Sequence, residues 1–374
     1  MDIQPFGVEI WMNAYENTCE LNLAETCVAS ITLGELIDIA GIRETVLDDL
    51  SGMKMSYGAI EGSDRLRDAI CSLYDTQSRE NILTTHGTIG ANALVHQALI
   101  SRGDHVISVI PTYQQHYSIP ESIGAEIELL HLRPEADFLP DLDALRAMVR
   151  PDTKLIAINN PNNPTGALMD AAVLGDIAAI AREVGAWLLC DEVYRGTDQV
   201  GDGYTVSVAD IYEKGISTAG MSKAYSLAGL RVGWIAGPSE MLETVMIHRD
   251  YNTISVSRID EYFAAIGLEN REAIIARSQD ITRTNLAILR DWVDAEPLIT
   301  WVAPRSGTTA LLRYDLQMPS RDLCVALLEE EGVMLTPGSA MAMEGWLRIG
   351  FTNPTEDLKE GLGRISTFLA HRKG

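Results

Sequence analysis

The run KLIAINNPNNPTG at 154–166 decides the fold. Its first half, KLIAI, reads as an apolar strand. Its second half holds four asparagines and two prolines, and turn chemistry alone makes Pro-Asn and Gly into loop punctuation. A helical pattern follows, MDAAVLGDIAAIAREV at 169–184, and then another apolar strand, AWLLCD at 186–191. Strand, helix and strand in this order imply a βαβ unit in a mostly parallel, buried sheet. Such sheets place ligands outside the carboxyl ends of their strands, where this asparagine loop and Asp191 stand.

The same alternation extends in both directions. NILTTH (81–86) precedes the helical GANALVHQALIS (90–101). HVISVI (105–110) precedes QQHYSIPESIG (114–124), and EIELLHL (126–132) precedes LDALRAMV (142–149). GISTAG (215–220) and RVGWIAG (231–237) add two further strands. Upstream, TLGELIDIAGIRETVLDDL (32–50) has helical spacing, and Ser63 is placed to cap an amphipathic helix. From about 265 the pattern changes to a long helix (269–295), the strands LITWVA, TTALLRY and GWLRIGF, and two more helices. The expected fold is α/β: a large domain with a mostly parallel sheet over 46–264, and a smaller α+β domain from 1–45 and 265–374. No Gly/Ser-rich linker marks the boundary.

At 374 residues, 46% of them apolar, the chain can bury a large core or two. Its formal net charge of −24 disfavours nucleic acid, which requires clustered Lys and Arg, and suits a cationic small substrate or simple solubility. Cys19, Cys27, Cys71, Cys190 and Cys324 are scattered and form no CxxC pair, so neither a disulfide framework nor a metal site is expected and a cytoplasmic location fits. The N-terminus lacks a secretory pattern, and no apolar run approaches the ~20 residues of a membrane span.

Several strand-end loops carry chemistry. In THGTIGANALVHQAL (85–99), Gly87, Thr88 and Ile89 precede a helical pattern, where backbone N–H groups bind phosphate, or merely form a tight turn. In AGMSKAYSLAGLRVGW (219–234), Lys223 stands three residues beyond Gly220, not adjacent to it, which argues against a nucleotide P-loop. A lysine among small and apolar residues either neutralises or is used, and one able to lose its proton forms Schiff bases. Arg231 is positioned to grip a phosphate dianion. Asp191, closing a buried strand, needs a cationic partner such as a protonated pyridine nitrogen; a helix cap or salt bridge is the plainer reading.

Together these residues resemble the fold-type-I pyridoxal-phosphate enzymes, specifically the class I/II aminotransferase family. YGAIEG, GTIGA, PTY, NNPNNPTG, DEVYRG, SKAYSLAGLRVG and RIGFTNP follow that family's order and spacing from about residue 20 onward. The resemblance implies pyridoxal 5'-phosphate as cofactor and a free α-amino acid as substrate. Lys223 would hold the cofactor as a Schiff base and then move the Cα proton. Asp191 would keep the pyridine nitrogen protonated, Asn163 and Tyr194 would donate to the phenolic oxygen, and Tyr113 would stack on the ring. Gly87, Thr88, Ile89, Ser222 and Arg231 would hold the phosphate. Tyr57 would reach the phosphate of a neighbouring subunit, which implies a homodimer with shared sites. Arg348 would pair with the substrate α-carboxylate. Plainer readings are a core aromatic for Tyr113, a surface ion pair for Arg348 and a turn for Tyr57.

Three positions depart from the family pattern. Gly220 stands where Ser or Thr is frequent, with Thr88 or Ser222 as candidate substitutes. Gly90 replaces a frequent glutamate. Glu25 and Thr26 occupy the place of a Gly-x-Pro turn. The segment containing TLGEL resembles the capreomycidine-synthase type and its arginine-using relatives. An acid there, Glu25 with Glu9 or Glu16 from the arm, would recognise an arginine-like side chain. The expected activity is transamination; the alternative is cyclisation, elimination or oxidation of arginine or hydroxyarginine. A cofactor-sensing regulator without catalysis would need a basic helix-turn-helix module, and no such segment is present.

Overall fold

The computed structural model describes residues 2–372. Seven strands form the large sheet: β1 (Ile82–His86), β2 (His105–Ile110), β3 (Glu126–His131), β4 (Thr153–Asn159), β5 (Trp187–Asp191), β6 (Gly215–Gly220) and β7 (Val232–Ala236). Their order is β1-β7-β6-β5-β4-β2-β3. β3, β2, β4, β5 and β6 run parallel, whereas β7 is antiparallel to both neighbours. The reversal follows from chain length. Only the short stretch 221–231 joins β6 to β7, and a parallel return needs a dozen or more residues. The central strands are buried on both faces, which explains their unbroken apolar runs.

Register positions the site. β4 pairs with β5 so that Asn159 faces Asp191, and β5 pairs with β6 so that Asp191 faces Thr218. Three polar side chains thus share one row at the carboxyl edge. The helix expected from Gly90 begins earlier: α2 spans Gly87–Leu99. Gly87 to Ile89 therefore form its first turn, whose N–H groups lack helical acceptors. Residues 32–50 divide into two helices because Gly41 adopts φ 65° and ends the first. Ser63 caps its helix as expected, accepting from the Leu66 amide at 3.4 Å.

The smaller sheet is antiparallel, with β8 (Ile299–Trp301), β9 (Thr309–Tyr314), β10 (Thr336–Pro337) and β11 (Trp346–Gly350) in the order β10-β11-β9-β8. A long helix, α3 (Arg271–Ala295), bridges the two regions. Ile274 and Ile275 enter a core with the helices under the large sheet, while Leu286, Leu289 and Val293 pack with the small sheet. Among the described residues no helix is long and apolar enough to cross a membrane.

The arm is fastened. Helix α1 (Gly7–Tyr15) buries Trp11, whose Nε1 donates to the Leu335 carbonyl at 2.8 Å. Gly7 allows close approach, since a β-carbon there would stand 2.7 Å from the Ala340 carbonyl oxygen. Farther along, the Gly350 amide donates to the Leu23 carbonyl at 2.7 Å, and the Ala29 amide to that of Thr352 at 2.8 Å. A β-carbon on Gly350 would stand 1.7 Å from the Glu25 carbonyl oxygen, so only glycine lets this segment lie against β11. Gly350→Ala is expected to lower the unfolding free energy by about 1–3 kcal/mol, measured by denaturant titration.

Candidate active site

A cavity of about 340 Å³ opens at the carboxyl edge of the large sheet, facing α1 and β11. Asp191 lies on its floor, 4% exposed. The carboxylate is held from several sides. Asn92 Nδ2 donates to Oδ2 at 2.8 Å, the Val193 amide donates to Oδ1 at 3.1 Å, and His116 Nε2 stands 3.7 Å from Oδ2. Thr218 orients Asn92 by donating to its Oδ1 at 2.6 Å. A buried carboxylate so surrounded by donors presents its oxygens in fixed positions and is suited to a cationic N–H partner such as a ring nitrogen.

A phosphate-sized cup adjoins this floor. Gly87 at φ 66° opens α2, and a β-carbon there would stand 2.8 Å from Arg231 Nη2. Gly233 lets β7 touch the helix start, because a β-carbon on it would lie 2.5 Å from the Thr88 amide nitrogen. The buried Thr88 hydroxyl has no protein partner, and Ser222 and Arg231 line the same cavity. Orphan helix amides, a free hydroxyl, a serine and a guanidinium form a donor set for a phosphate dianion. The departure at 220 is accounted for as well: a β-carbon at Gly220 would stand 2.6 Å from Thr88 Oγ1, so the Thr88 hydroxyl fills that space.

Lys223 projects into the cavity beside residues 25–27. Its Nζ donates to Thr26 Oγ1 at 2.6 Å and approaches Cys27 Sγ at 3.4 Å. Burial opposes its charge, but Cys27, Tyr194 and Glu25 outweigh burial and hold the ammonium above the usual lysine range. Burial raises the Cys27 thiol, which is therefore neutral near pH 7, so Glu25 supplies the lasting negative charge. Burial also works against the Glu25 carboxylate, yet Lys223 and the amides of Cys27 and Thr26 lower its pKa overall. Those amides donate to Glu25 Oε1 at 2.8 and 2.6 Å.

Across the cavity Arg348 is 3% exposed. Its guanidinium donates to Asn163 Oδ1 at 3.3 Å, the Ala24 carbonyl at 3.2 Å and Thr336 Oγ1 at 3.1 Å; Nε has no partner. Among the described residues no carboxylate lies within ion-pair distance. Because Asn163 presents its oxygen to Arg348, its amide hydrogens remain for another acceptor. Tyr194 is buried nearby, and Tyr113 donates to Glu9 Oε1 at 3.2 Å while tilted against Phe6. Arg348 is thus no surface ion-pair partner, and Tyr113 lines the cavity instead of filling the core.

The other asparagines of the opening segment hold the loop. Asn160 exchanges hydrogen bonds with the Met169 backbone, Asn162 accepts from Thr165, and Asn159 accepts from the Asn163 amide. The cavity wall includes Thr88, Ile89, Tyr113, Asn163, Asp191, Tyr194, Ser222, Lys223, Arg231 and Arg348, and also Glu9, Glu16 and Glu25. Tyr57 stands apart, 78% exposed on the loop before Ser63. Sequence reasoning missed Asn92, His116, Thr218 and Cys27, and Thr26 as a contact of Lys223. Asn92 sits four residues after Thr88, one helical turn on, and that spacing was the available signal.

The class I and II aminotransferase model matches residues 35–365. The chain belongs to that family. Capreomycidine synthase from Streptomyces vinaceus is 32% identical over 98% of this chain and 94% of its own length. A pyridoxal-phosphate-dependent aminotransferase from Streptococcus suis has the same fold, with a TM-score of 0.97, 41% identity and full coverage of both chains. The pyridoxal-phosphate-dependent cyclase OrfR superposes with a TM-score of 0.92 and 28% identity, covering 100% of this chain and 98% of its own. As a member of this family, the protein is a pyridoxal-phosphate-dependent enzyme, and the cup, floor and lysine described above fit that cofactor.

Asn92→Leu removes the shortest hydrogen bond to the Asp191 carboxylate. The Kd for pyridoxal phosphate is expected to rise about ten- to a hundredfold, as befits a lost bond to a buried charge. Absorbance titration of the apoprotein, with a thermal melt as control for folding, measures it.

Proposed function

We propose that this enzyme binds a free α-amino acid between Lys223 and Arg348 and transfers its amino group. The unpaired, buried Arg348 carries the reading: a guanidinium withdrawn from water without a carboxylate partner is costly until an anion arrives. The substrate α-carboxylate is that anion, held by paired hydrogen bonds. Lys223 holds the cofactor covalently, then takes and returns the proton at the substrate α-carbon. Asp191 pairs with the ring nitrogen, Asn163 and Tyr194 with the phenolic oxygen, and Tyr113 covers the ring. Gly87, Thr88, Ile89, Ser222 and Arg231 bind the phosphate. The bound cofactor supplies the electron sink for the bond broken at the α-carbon.

A second reading shares every one of these roles. Glu9 and Glu25, with Glu16 at the rim, give the substrate side an acidic wall that suits a cationic side chain such as guanidinium. Cyclisation or elimination on an arginine-like substrate would use that wall, and the likeness to a capreomycidine synthase supports it. Tyr57, Met55 and Tyr251 are 78%, 71% and 93% exposed, which supports a dimer in which Tyr57 reaches the partner's phosphate cup.

Borohydride reduction of the holoenzyme should place a pyridoxyl group on Lys223, read by peptide mass, and Lys223→Ala should abolish it. Incubation with a panel of amino acids separates the reactions. Turnover that requires a 2-oxo acid acceptor is transamination; turnover without one, with loss of water or ammonia, is elimination or cyclisation. Glu25→Ala should reduce kcat/KM for arginine-like substrates more than for neutral ones. Equal losses for both would remove Glu25 from side-chain recognition.

A further inference from the structure

We propose that Thr26 is a catalytic residue whose hydroxyl receives the ε-amine of Lys223 whenever that amine is not bonded to the cofactor. The inference rests on Lys223 being the amine that holds the cofactor. Lys223 Nζ meets Thr26 Oγ1 at 2.6 Å, a short charge-assisted contact, and its other protein partner is the weaker acceptor Cys27 Sγ at 3.4 Å.

The hydroxyl is held in place by its own backbone. The Thr26 amide donates to Glu25 Oε1 at 2.6 Å, and its carbonyl accepts from Thr308 Oγ1 at 2.6 Å. One residue on, the Cys27 carbonyl accepts from Thr352 Oγ1 at 3.0 Å. Gly350 provides the room for this segment, as described above. A side chain on so constrained a backbone is aimed before the substrate arrives. This is also the stretch where the family resemblance predicts a Gly-x-Pro turn, whose glycine and proline carry no hydroxyl.

A hydroxyl suits the task because it is both donor and acceptor. The ammonium form of Lys223 donates one N–H to Thr26 Oγ1. The neutral amine instead accepts from the Thr26 O–H after the hydroxyl rotates. Tyr194 lies within hydrogen-bond reach of Thr26 and can take whichever role the lysine leaves free. When a proton leaves the substrate α-carbon, its electron pair stays with the substrate and the proton resides on Lys223 Nζ. Thr26 then accepts from the new ammonium, and the proton later returns along the same line. No bond to Thr26 forms or breaks. The charged and titratable groups around Lys223 are Glu25, Cys27 and Tyr194, and all three remain in the variants below.

The test follows capture of pyridoxal phosphate by the apoprotein, read as growth of visible absorbance across a range of pH. The contact with the ammonium is charge-assisted and the stronger of the two, so loss of the hydroxyl destabilises the ammonium more than the neutral amine, and the amine becomes available at lower pH. Thr26→Val should move the midpoint for capture down by about one pH unit, a tenfold change. Thr26→Ser should restore the wild-type midpoint, and kcat should fall in Thr26→Val while substrate KM holds. Thr26→Ala serves if the valine variant fails to fold. A wild-type midpoint and kcat in a folded variant without the hydroxyl would overturn the proposal. Should borohydride fail to label Lys223 in the wild type, the assignment of Lys223 itself falls. Labelled Lys223 with an unaltered Thr26→Val defeats only the role of Thr26.

Discussion

The site depends on the donors gathered around one buried carboxylate. Asp191 ends a buried strand, and a polar group withdrawn from water is costly unless donors meet it. Three elements meet that demand. The turn after β5 contributes the Val193 amide, α2 contributes Asn92, and β6 contributes Thr218 to orient Asn92. Each depends on parallel register, because a one-residue slip would turn Thr218 or Asp191 to the opposite face of the sheet. Behind the carboxylate lie two buried histidines, with His96 Nε2 at 3.4 Å from His116 Nδ1. Burial, with the neighbouring His116, pushes the pKa of His96 well down, so His96 is neutral. The arrangement offers Asp191 donors without adding a second negative charge.

The remaining charges of the cavity follow from that floor. Lys223 is held as an ammonium by Cys27, Tyr194 and Glu25 against the effect of burial, and Arg348 has only neutral acceptors. A half-buried and a buried cation on opposite walls leave the space between them suited to the cofactor and a carboxylate. Glycines make the geometry possible where backbones must touch. Gly233 brings β7 against the first turn of α2, and Gly350 brings the arm against β11. The phosphate end and the substrate end of the cavity thus each depend on a close approach that any β-carbon would prevent.

Much of this was legible in the sequence, for a physical reason. Strand and helix periodicities differ, so alternation along the chain reported the large sheet and its mostly parallel order. Lys223 and Asp191 stood out by residue type beside apolar strands, whereas Asn163 and Arg348 were singled out only through the family resemblance. Asn92 was not legible, because it lies inside a helix and gains its meaning from Asp191, 99 positions away. Thr26 was noted as a departure from pattern, but its contact with Lys223 joins positions 197 apart and exists only after folding. The reversal of β7 was legible only as loop length. Tyr57 carries a signal in sequence order alone, since nothing within one chain touches its role.

The two ends of the cavity are also built differently. The cofactor floor and cup come from adjoining strand ends and one helix start of a single sheet, whose geometry is fixed by pairing. The opposite end, proposed to take the substrate, is assembled from separate pieces: α1 with Glu9, residues 24–27, Tyr113 and Arg348. Only Arg348 among these sits in a β-ladder. A substitution in α1 or in 24–27 can therefore alter which side chain is accepted without disturbing Asp191 or the phosphate cup. The same separation explains why cofactor chemistry is readable from NNPNNPTG and DEVYRG while the fate of the substrate is not. In the proposed reading, which bond at the α-carbon breaks depends on how Arg348 of β11 grips the carboxylate and how the arm and residues 24–27 grip the side chain.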